Sequence, residues 1–362
     1  MLKDFEEALE TCTYCPNLCL HACPVANAEK KSSVTPWAKM SLVQWVRQGL
    51  APMNGESVDM FYKCTGCSAC TSACVHGVGV GEVLFAARAE AQSRGISGPG
   101  LEARAVPMEP LEAIRGESTL KSLRGKRVYW PGCRQAVGDH ETLEDTLKVL
   151  QALTGEPVSL GPATCCGEAE VSNGRPGAGN NDAVALGYIL AEAEQVFVGV
   201  GACQAHLSGA RVMVESVVPF LLKSLLANPD LVKGTVPGKV AIFEGCHHVR
   251  EMGMSDQVVA LASRFAEGGV VELRWCGTSS HCCGAGGAYP QTSPDESRKA
   301  GGRILEMAKD SGAELLISFD AECVAHLKSS PLPEGIRVLS AMSVIAEMMG
   351  LNKENEGGEE EV

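Results

Sequence analysis

Two stretches of the sequence decide the fold, ATCCGEAE at residues 163–170 and SHCCGAGG at residues 280–287. Each places two adjacent cysteines directly before a glycine. Adjacent cysteines close a disulfide only in a strained ring, because their geometry is far from the relaxed one. Two neighbouring thiolates can instead face a common metal centre, and the glycine lets the backbone pack closely behind them. The repeated pair therefore indicates two related metal-binding units.

The sequence around these pairs is a duplication. In each copy a short apolar strand leads to a cysteine, a second strand precedes the CCG loop, and a third strand leads to a last cysteine. Strands that alternate with helical patterns predict parallel α/β layers, and ligands of such sheets gather beyond the carboxyl ends of the strands. Four thiols per copy are thus expected to converge on one edge: Cys133, Cys165, Cys166 and Cys203 in the first copy, and Cys246, Cys282, Cys283 and Cys323 in the second.

Two further cysteine runs lie near the N-terminus. Residues 64–74 have the C-x2-C-x2-C-x3-C spacing of bacterial ferredoxins, in which the fourth cysteine binds the other [4Fe–4S] cluster. The run at residues 12–23 has a middle gap one residue longer, and Pro24 follows it. Zinc is the alternative metal, but its sites usually pair two C-x2-C knuckles. We expect one cubane on Cys12, Cys15, Cys19 and Cys74, and a second on Cys64, Cys67, Cys70 and Cys23.

Composition sets limits on the class of protein. The chain has 362 residues, 17 cysteines and a net charge of −13. Clustered cysteines in a reducing compartment indicate metal or redox chemistry rather than disulfides. The acidic balance argues against a nucleic-acid partner, and no run reaches the roughly 18 apolar residues of a membrane span. The stretch MLKDFEEALE lacks the features of a signal peptide, so a cytoplasmic location is expected.

These patterns predict an α+β protein. A mostly helical two-cluster ferredoxin-like domain (residues 1–95) is followed by a linker (96–125) and by two duplicated α/β cysteine-rich domains (126–238 and 239–350). Residues 351–362 form an acidic tail whose composition is typical of disorder.

This arrangement resembles the CCG, or cysteine-rich-domain, iron–sulfur proteins over about residues 10–345. They include the B-type and D-type subunits of heterodisulfide reductase, the iron–sulfur subunit of glycolate oxidase and the C-type subunit of anaerobic glycerol-3-phosphate dehydrogenase. The resemblance implies an electron-transfer subunit of an oxidoreductase complex. Its donor would be a flavin-dependent dehydrogenase of the 2-hydroxy-acid or glycerol-3-phosphate type, or another redox subunit, and its acceptor a quinone or another carrier.

The cofactors implied by the resemblance are two [4Fe–4S] clusters in the N-terminal domain, with a further iron–sulfur cluster as an option in one or both CCG domains. A partner that reduces quinone in the membrane is also an option, and it would bring this cytoplasmic chain to the membrane surface.

One departure from the family bears on the chemistry. In heterodisulfide reductase each cysteine-rich domain ends in C-x-x-C, and five thiolates hold a noncubane cluster that cleaves a disulfide. Here each copy ends in one cysteine, with Val200 or Asp320 three residues before it and His206 or His326 three residues after it. A fifth ligand is therefore Asp320, a histidine or absent. The departure favours electron transfer over the alternative, a heterodisulfide reductase-like catalytic subunit; a zinc-stabilised scaffold is a third option.

Residues outside the repeat pattern have two interpretations each. Cys276 is expected in the core, and the alternative is an extra ligand or redox thiol beside Cys282. Trp37 and Trp45, at near-helical spacing, are expected in the core rather than in an electron relay. Three histidines either donate hydrogen bonds toward cluster sulfurs or are exposed in loops: His247, His248 and His281.

Overall fold

The computed structural model describes residues 2–101, 123, 126–162 and 164–352. The predicted linker and acidic tail therefore lie largely outside the described residues. The N-terminal part is helical, as predicted, and its helices are α1 (Glu6–Thr13), α2 (Pro24–Glu29), α3 (Pro36–Arg47), α4 (Gly55–Tyr62), α5 (Ala69–Ser72) and α6 (Val80–Ser93).

Local capping sets where these N-terminal helices begin. The Thr35 side chain accepts a hydrogen bond from the Ala38 backbone N–H, and Pro36 occupies the first turn of α3, where its missing N–H costs nothing. Asn54 and Ser57 form a reciprocal capping box at the start of α4. The short connections that result bring the two cysteine runs to the same side of the helical region.

The first copy is built on a four-stranded parallel sheet of order β2-β1-β3-β4. Its strands and helices are β1 (Arg127–Trp130), α7 (Cys133–Gly138), α8 (His140–Thr154), β2 (Val158–Leu160), α9 (Glu168–Ser172), α10 (Pro176–Leu190), β3 (Gln195–Val198), α11 (Gly201–Gly209), β4 (Glu215–Ser216) and α12 (Val217–Ala227).

The second copy repeats this topology with a parallel sheet of order β6-β5-β7-β8. A π-helical turn at His247–Glu251 takes the place of α7. The other elements are β5 (Val240–Ile242), α13 (Ser255–Ala262), β6 (Val270–Glu272), α14 (Tyr289–Thr292), α15 (Pro294–Asp310), β7 (Leu315–Ser318), α16 (Ala321–Lys328), β8 (Arg337–Ser340) and α17 (Ala341–Met348). The prediction of two parallel α/β units is confirmed.

The two copies share one hydrophobic core. A single cluster of buried side chains joins Tyr129 and Phe197 of the first sheet to Ile242 and Ile317 of the second. It is closed by helix pairs that cross between the copies, α8 against α17 and α12 against α13. On the opposite side, α11 packs against the π-helical turn and α16 packs against α7. Because these last four segments carry or follow cysteines, the shared core turns the two cysteine edges toward each other.

Within the described ranges, no helix combines the length and the apolar character needed to cross a membrane.

Candidate metal centres

The first group of thiols, site 1, combines three cysteines of the first run with the last of the second. They line one cavity together with Trp37 and His76: Cys12, Cys15, Cys19 and Cys74. Cys70 also borders this cavity, so it lies between the first and the second group. Burial, followed by the charges of neighbouring thiolates, raises the pKa of Cys12 to about 12 and that of Cys19 to about 11. Uncompensated thiolates are thus unfavourable here, and a metal centre would supply the missing positive charge.

The second group, site 2, has the complementary composition and lines a separate cavity: Cys23, Cys64, Cys67 and Cys70. Backbone N–H groups point at two of these sulfurs, from Ala26 to Cys23 Sγ at 3.5 Å and from Gly66 to Cys64 Sγ at 3.4 Å. Such N–H···S hydrogen bonds favour the thiolate form that ligates iron. The structure thus brings together both expected groups of N-terminal cysteines.

The eight cysteines of the two copies also gather, and they do so as matched pairs. In site 4, the first-copy site, Cys133 Sγ lies 3.7 Å from Cys165 Sγ, and Cys166 faces Cys203. In site 3, the second-copy site, Cys283 Sγ lies 3.3 Å from Cys323 Sγ, and Cys246 faces Cys282. The two adjacent cysteines of each loop therefore reach different partners, which explains why the loop carries a pair.

The glycine after each pair is required by close packing. Gly167 and Gly284 have φ of +91° and +103°, in the region that favours glycine. A Cβ at Gly167 would lie 2.1 Å from the carbonyl oxygen of Gly179, and one at Gly284 would lie 2.6 Å from that of Ser297. The backbone N–H groups of these two glycines donate hydrogen bonds to sulfur, from Gly167 to Cys165 Sγ at 3.4 Å and from Gly284 to Cys282 Sγ at 3.3 Å.

The histidines proposed as fifth ligands support the CCG loops instead. Nε2 of His206 lies 3.3 Å from the Gly179 carbonyl oxygen, and Nε2 of His326 lies 3.1 Å from that of Ser297. These carbonyls belong to the helix residues against which the CCG glycines pack. Each histidine is thus engaged with the backbone that braces a loop.

Asp320 is likewise engaged elsewhere. Its Oδ1 caps α16 by accepting hydrogen bonds from the N–H groups of Glu322 and Cys323, at 3.0 and 3.1 Å. Its Oδ2 accepts a hydrogen bond from Gly201 N at 2.9 Å, so the carboxylate joins the two copies. Val200 is the residue of the first copy that corresponds to Asp320. Its side chain is buried and has no atom that could bind a metal. No fifth thiolate is present at either position.

Site 3 is in direct contact with site 2. Cys67 packs in one buried cluster with Cys246 and Cys282. Arg250 holds these loops together, since its Nε donates to the Cys67 carbonyl at 2.6 Å and its Nη1 to the Ser280 carbonyl at 2.7 Å. The contact joins segments that are more than 180 residues apart in sequence, and sequence patterns did not indicate it.

The glycines of CCGAGG make this contact possible. A Cβ at Gly286 would lie 2.5 Å from the Thr65 carbonyl oxygen, and one at Gly287 would lie 2.6 Å from the Cys64 carbonyl oxygen. The first copy has Ala169 where the second has Gly286. Site 4 borders a cleft of about 510 Å3, whose walls include Arg134, Glu168 and Glu322 and also the second loop's Gly286 and Gly287.

Several interpretations of single residues need correction. Cys276 is half-buried rather than in the core, and its Sγ contacts Glu272 at 3.7 Å. Trp45 is 45% exposed and so is not a core residue. For two histidines with two open interpretations, burial excludes exposure in a loop: His248 and His281 are buried, and His281 stacks on an indole ring with centroids 5.2 Å apart. Burial, with nearby positive charges, lowers the pKa of His281 to about 4.

The chemistry of the donor sets fits iron–sulfur clusters. Cysteine thiolates are the usual ligands of [4Fe–4S] clusters, and four cysteines contribute to each of the four sites.

Comparison with protein families identifies the domains. The 4Fe-4S dicluster domain matches residues 8–78, and the cysteine-rich domain, CCG, matches residues 127–208 and 240–328. The chain therefore contains one 4Fe-4S dicluster domain and two CCG cysteine-rich domains. In this family context, the dicluster domain and both CCG domains indicate iron–sulfur clusters as the metal groups.

Two curated proteins are similar to this chain along most of their length. The D-type subunit of the dihydromethanophenazine:CoB–CoM heterodisulfide reductase of Methanosarcina barkeri is 24% identical, with 82% of this chain and 80% of that protein covered. The glycolate oxidase iron–sulfur subunit of Escherichia coli is 22% identical, with coverages of 90% and 91%. A crystal structure of a hypothetical protein from Helicobacter pylori shares the fold, with a TM-score of 0.58, 8% identity, and 97% of this chain and 78% of that chain covered.

Proposed function

We propose that the protein is the iron–sulfur electron-transfer subunit of an oxidoreductase complex. It takes electrons from a flavin-dependent dehydrogenase of the 2-hydroxy-acid or glycerol-3-phosphate type and passes them to a quinone or another acceptor. The observation that carries the proposal is the contact of Cys67 with Cys246 and Cys282, which connects the dicluster domain to the cysteine-rich copies. A chain that only stores metal has no need of such a contact.

Four groups of thiols would hold the clusters. Sites 1 and 2 would each hold a [4Fe–4S] cubane, and sites 3 and 4 would hold further iron–sulfur clusters. A cluster of this kind, when bound, takes up and releases one electron at a time. The chain holds the thiolates in fixed positions, donates backbone N–H groups to the sulfurs of Cys23, Cys64, Cys165 and Cys282, and excludes water by packing.

Exposure of apolar side chains supports docking of the donor at site 1. Tyr14, Leu18 and Val75 each adjoin a cysteine of this site and are 87%, 56% and 78% exposed. Isolated exposed apolar residues are common, but a group around a half-buried thiol site is typical of a protein contact. A flavoprotein seated there would lie next to site 1.

A second candidate function is disulfide reduction at the cysteine-rich sites. It is favoured by the similarity to one subunit of a heterodisulfide reductase and by the cleft of about 510 Å3 beside site 4. Against it stand the missing fifth thiolates, since Val200 has no donor atom and Asp320 caps a helix. The observations therefore favour electron transfer.

The two functions are separated by what reoxidises the reduced protein. Oxygen-free protein is reduced with dithionite and mixed with a water-soluble quinone or, separately, with an alkyl disulfide. Electron transfer predicts recovery of cluster absorbance with the quinone and no release of thiol from the disulfide. Repeated release of thiol, abolished by Cys203→Ala at site 4, would establish the second candidate instead.

A further inference from the structure

Three cations without carboxylate partners surround site 2. Each donates a hydrogen bond to a backbone carbonyl of the loop that carries Cys64 and Cys67: Lys39 Nζ to Lys63 O at 2.5 Å, Arg88 Nη2 to Cys64 O at 2.7 Å, and Arg250 Nε to Cys67 O at 2.6 Å. None of the three forms an ion pair with a described carboxylate. We name them the cationic collar.

Burial makes this arrangement costly unless negative charge lies nearby. Lys39 is 1% exposed and Arg88 is not exposed at all, and a buried charge without a counter-charge strongly destabilises a fold. Carbonyl dipoles alone offset only part of this penalty. Lys39 lines the site 2 cavity, so the negative charge that faces it is that of the four thiolates.

The cavity of site 1 differs in this respect. No lysine or arginine is among the described residues that line it, and His76 is its one titratable side chain besides the thiols. The two N-terminal sites therefore have similar donor sets in different electrostatic surroundings.

We infer that the cationic collar gives site 2 a higher reduction potential than site 1, so that electrons received at site 1 move on to site 2. The inference rests on the proposed function. Reduction adds one negative charge to a cluster, and nearby positive charge stabilises that form. In the transfer, one electron leaves site 1, which is oxidised, and arrives at site 2, which is reduced, with no bond or proton exchanged.

The test replaces Lys39 by an uncharged side chain of similar length. Lys39→Met and Lys39→Arg are compared with the wild type by redox titration followed by electron paramagnetic resonance, and Cys12→Ala assigns the signal that remains to site 2. Arg47→Met is the matched control, because it removes a cation from the same helix that is already paired with Glu6.

Lys39→Met is expected to lower the midpoint potential of site 2 and leave that of site 1 unchanged. Lys39→Arg and Arg47→Met should leave both near their wild-type values. If both sites keep their clusters in Lys39→Met and neither potential changes, or both change equally, the inference is wrong.

Loss of the site 2 cluster in a variant also tests the inference. A site 2 cluster that is lost in Lys39→Met but kept in Lys39→Arg supports the need for positive charge, whereas loss in both variants contradicts it. Wild-type protein without iron at sites 1 and 2 would overturn the proposed function itself. Iron analysis of each protein thus separates failure of the inference from failure of the proposal.

Discussion

Cys23 shows how one residue decides which thiols share a site. It belongs to the first cysteine run but lines the same cavity as Cys64, Cys67 and Cys70. The chain turns there because Pro24 starts α2 directly after it and Ala26 N–H bonds its sulfur at 3.5 Å. The crosswise grouping of the two runs therefore depends on a helix start.

Pairs of substitutions test this grouping. Under the crosswise grouping, Cys23→Ala with Cys64→Ala disables one site and should remove about four irons per chain. Cys12→Ala with Cys23→Ala disables two sites and should remove about eight. Sequential grouping predicts the reverse, so iron analysis of the two double variants decides between them. Cys276→Ala is the control and should remove none, since Cys276 lies outside all four sites.

Whether the role of a single residue can be predicted from the sequence depends on where its residue type is usually found. Cysteine spacing predicts a grouping of the thiols, because short spacers restrict which sulfurs can meet. Lys39 could not be found in this way, since lysine is normally exposed. A signal was nevertheless present, because Lys39 lies one residue before Met40 and three before Leu42 in a mostly apolar helix with little room for an exposed face.

At the scale of elements, the two CCG loops differ in what they pack against. The second loop has Gly286 and Gly287 and lies on the Cys64–Gly66 loop, whereas the first has Ala169 at the position of Gly286. Residues of both loops line the cleft. The duplicated strands were predictable from their apolar patterns. The edge strands Glu215–Ser216 and Arg337–Ser340 were not assigned, because the first has only two residues and the second only two apolar ones between Arg337 and Ser340.

Gly286→Ala tests the contact between the second CCG loop and site 2. The added Cβ would lie 2.5 Å from the Thr65 carbonyl oxygen, so the loops must separate. We expect a loss of about 1–3 kcal/mol in the free energy of unfolding and slower oxidation of site 2 by acceptors that act at site 4. Denaturant titration and stopped-flow absorbance measure the two effects.

Gly177→Ala is the matched control for that substitution. Gly177 lies in α10 with open space around its Cβ position and an ordinary φ, so alanine there should leave both quantities unchanged or raise stability slightly. Equal effects of the two substitutions would mean that the loop contact has no special role.

At the scale of the whole molecule, Arg88 joins the three parts of the chain. Its guanidinium donates to Phe61 and Cys64 in the helical domain, to Ser172 in the first copy and to Gly287 in the second, at 2.7–3.0 Å. The Tyr62 ring stacks against it with 4.7 Å to the centroid. No sequence pattern indicates this junction, because it depends on residues from three distant segments.

Arg88→Met should destabilise the whole protein. Four carbonyl oxygens would lose a charged donor in a buried position, and we expect a loss of about 3–5 kcal/mol in the free energy of unfolding. Arg94→Met on the same helical segment is the control, since Arg94 is exposed and paired with Glu90. A surface ion pair of this kind contributes at most about 1 kcal/mol. Denaturant unfolding of both variants without oxygen measures the two losses in the free energy of unfolding. Equal losses would contradict the account.

The central claim is that all four groups of thiols hold iron–sulfur clusters that form one route through the chain. The most direct test is the amount of iron and acid-labile sulfide per chain in protein purified without oxygen. The account predicts about sixteen of each, four per site. A value of about eight would place clusters in the dicluster domain alone and contradict the claim, because the paired cysteines of both copies would then be without them.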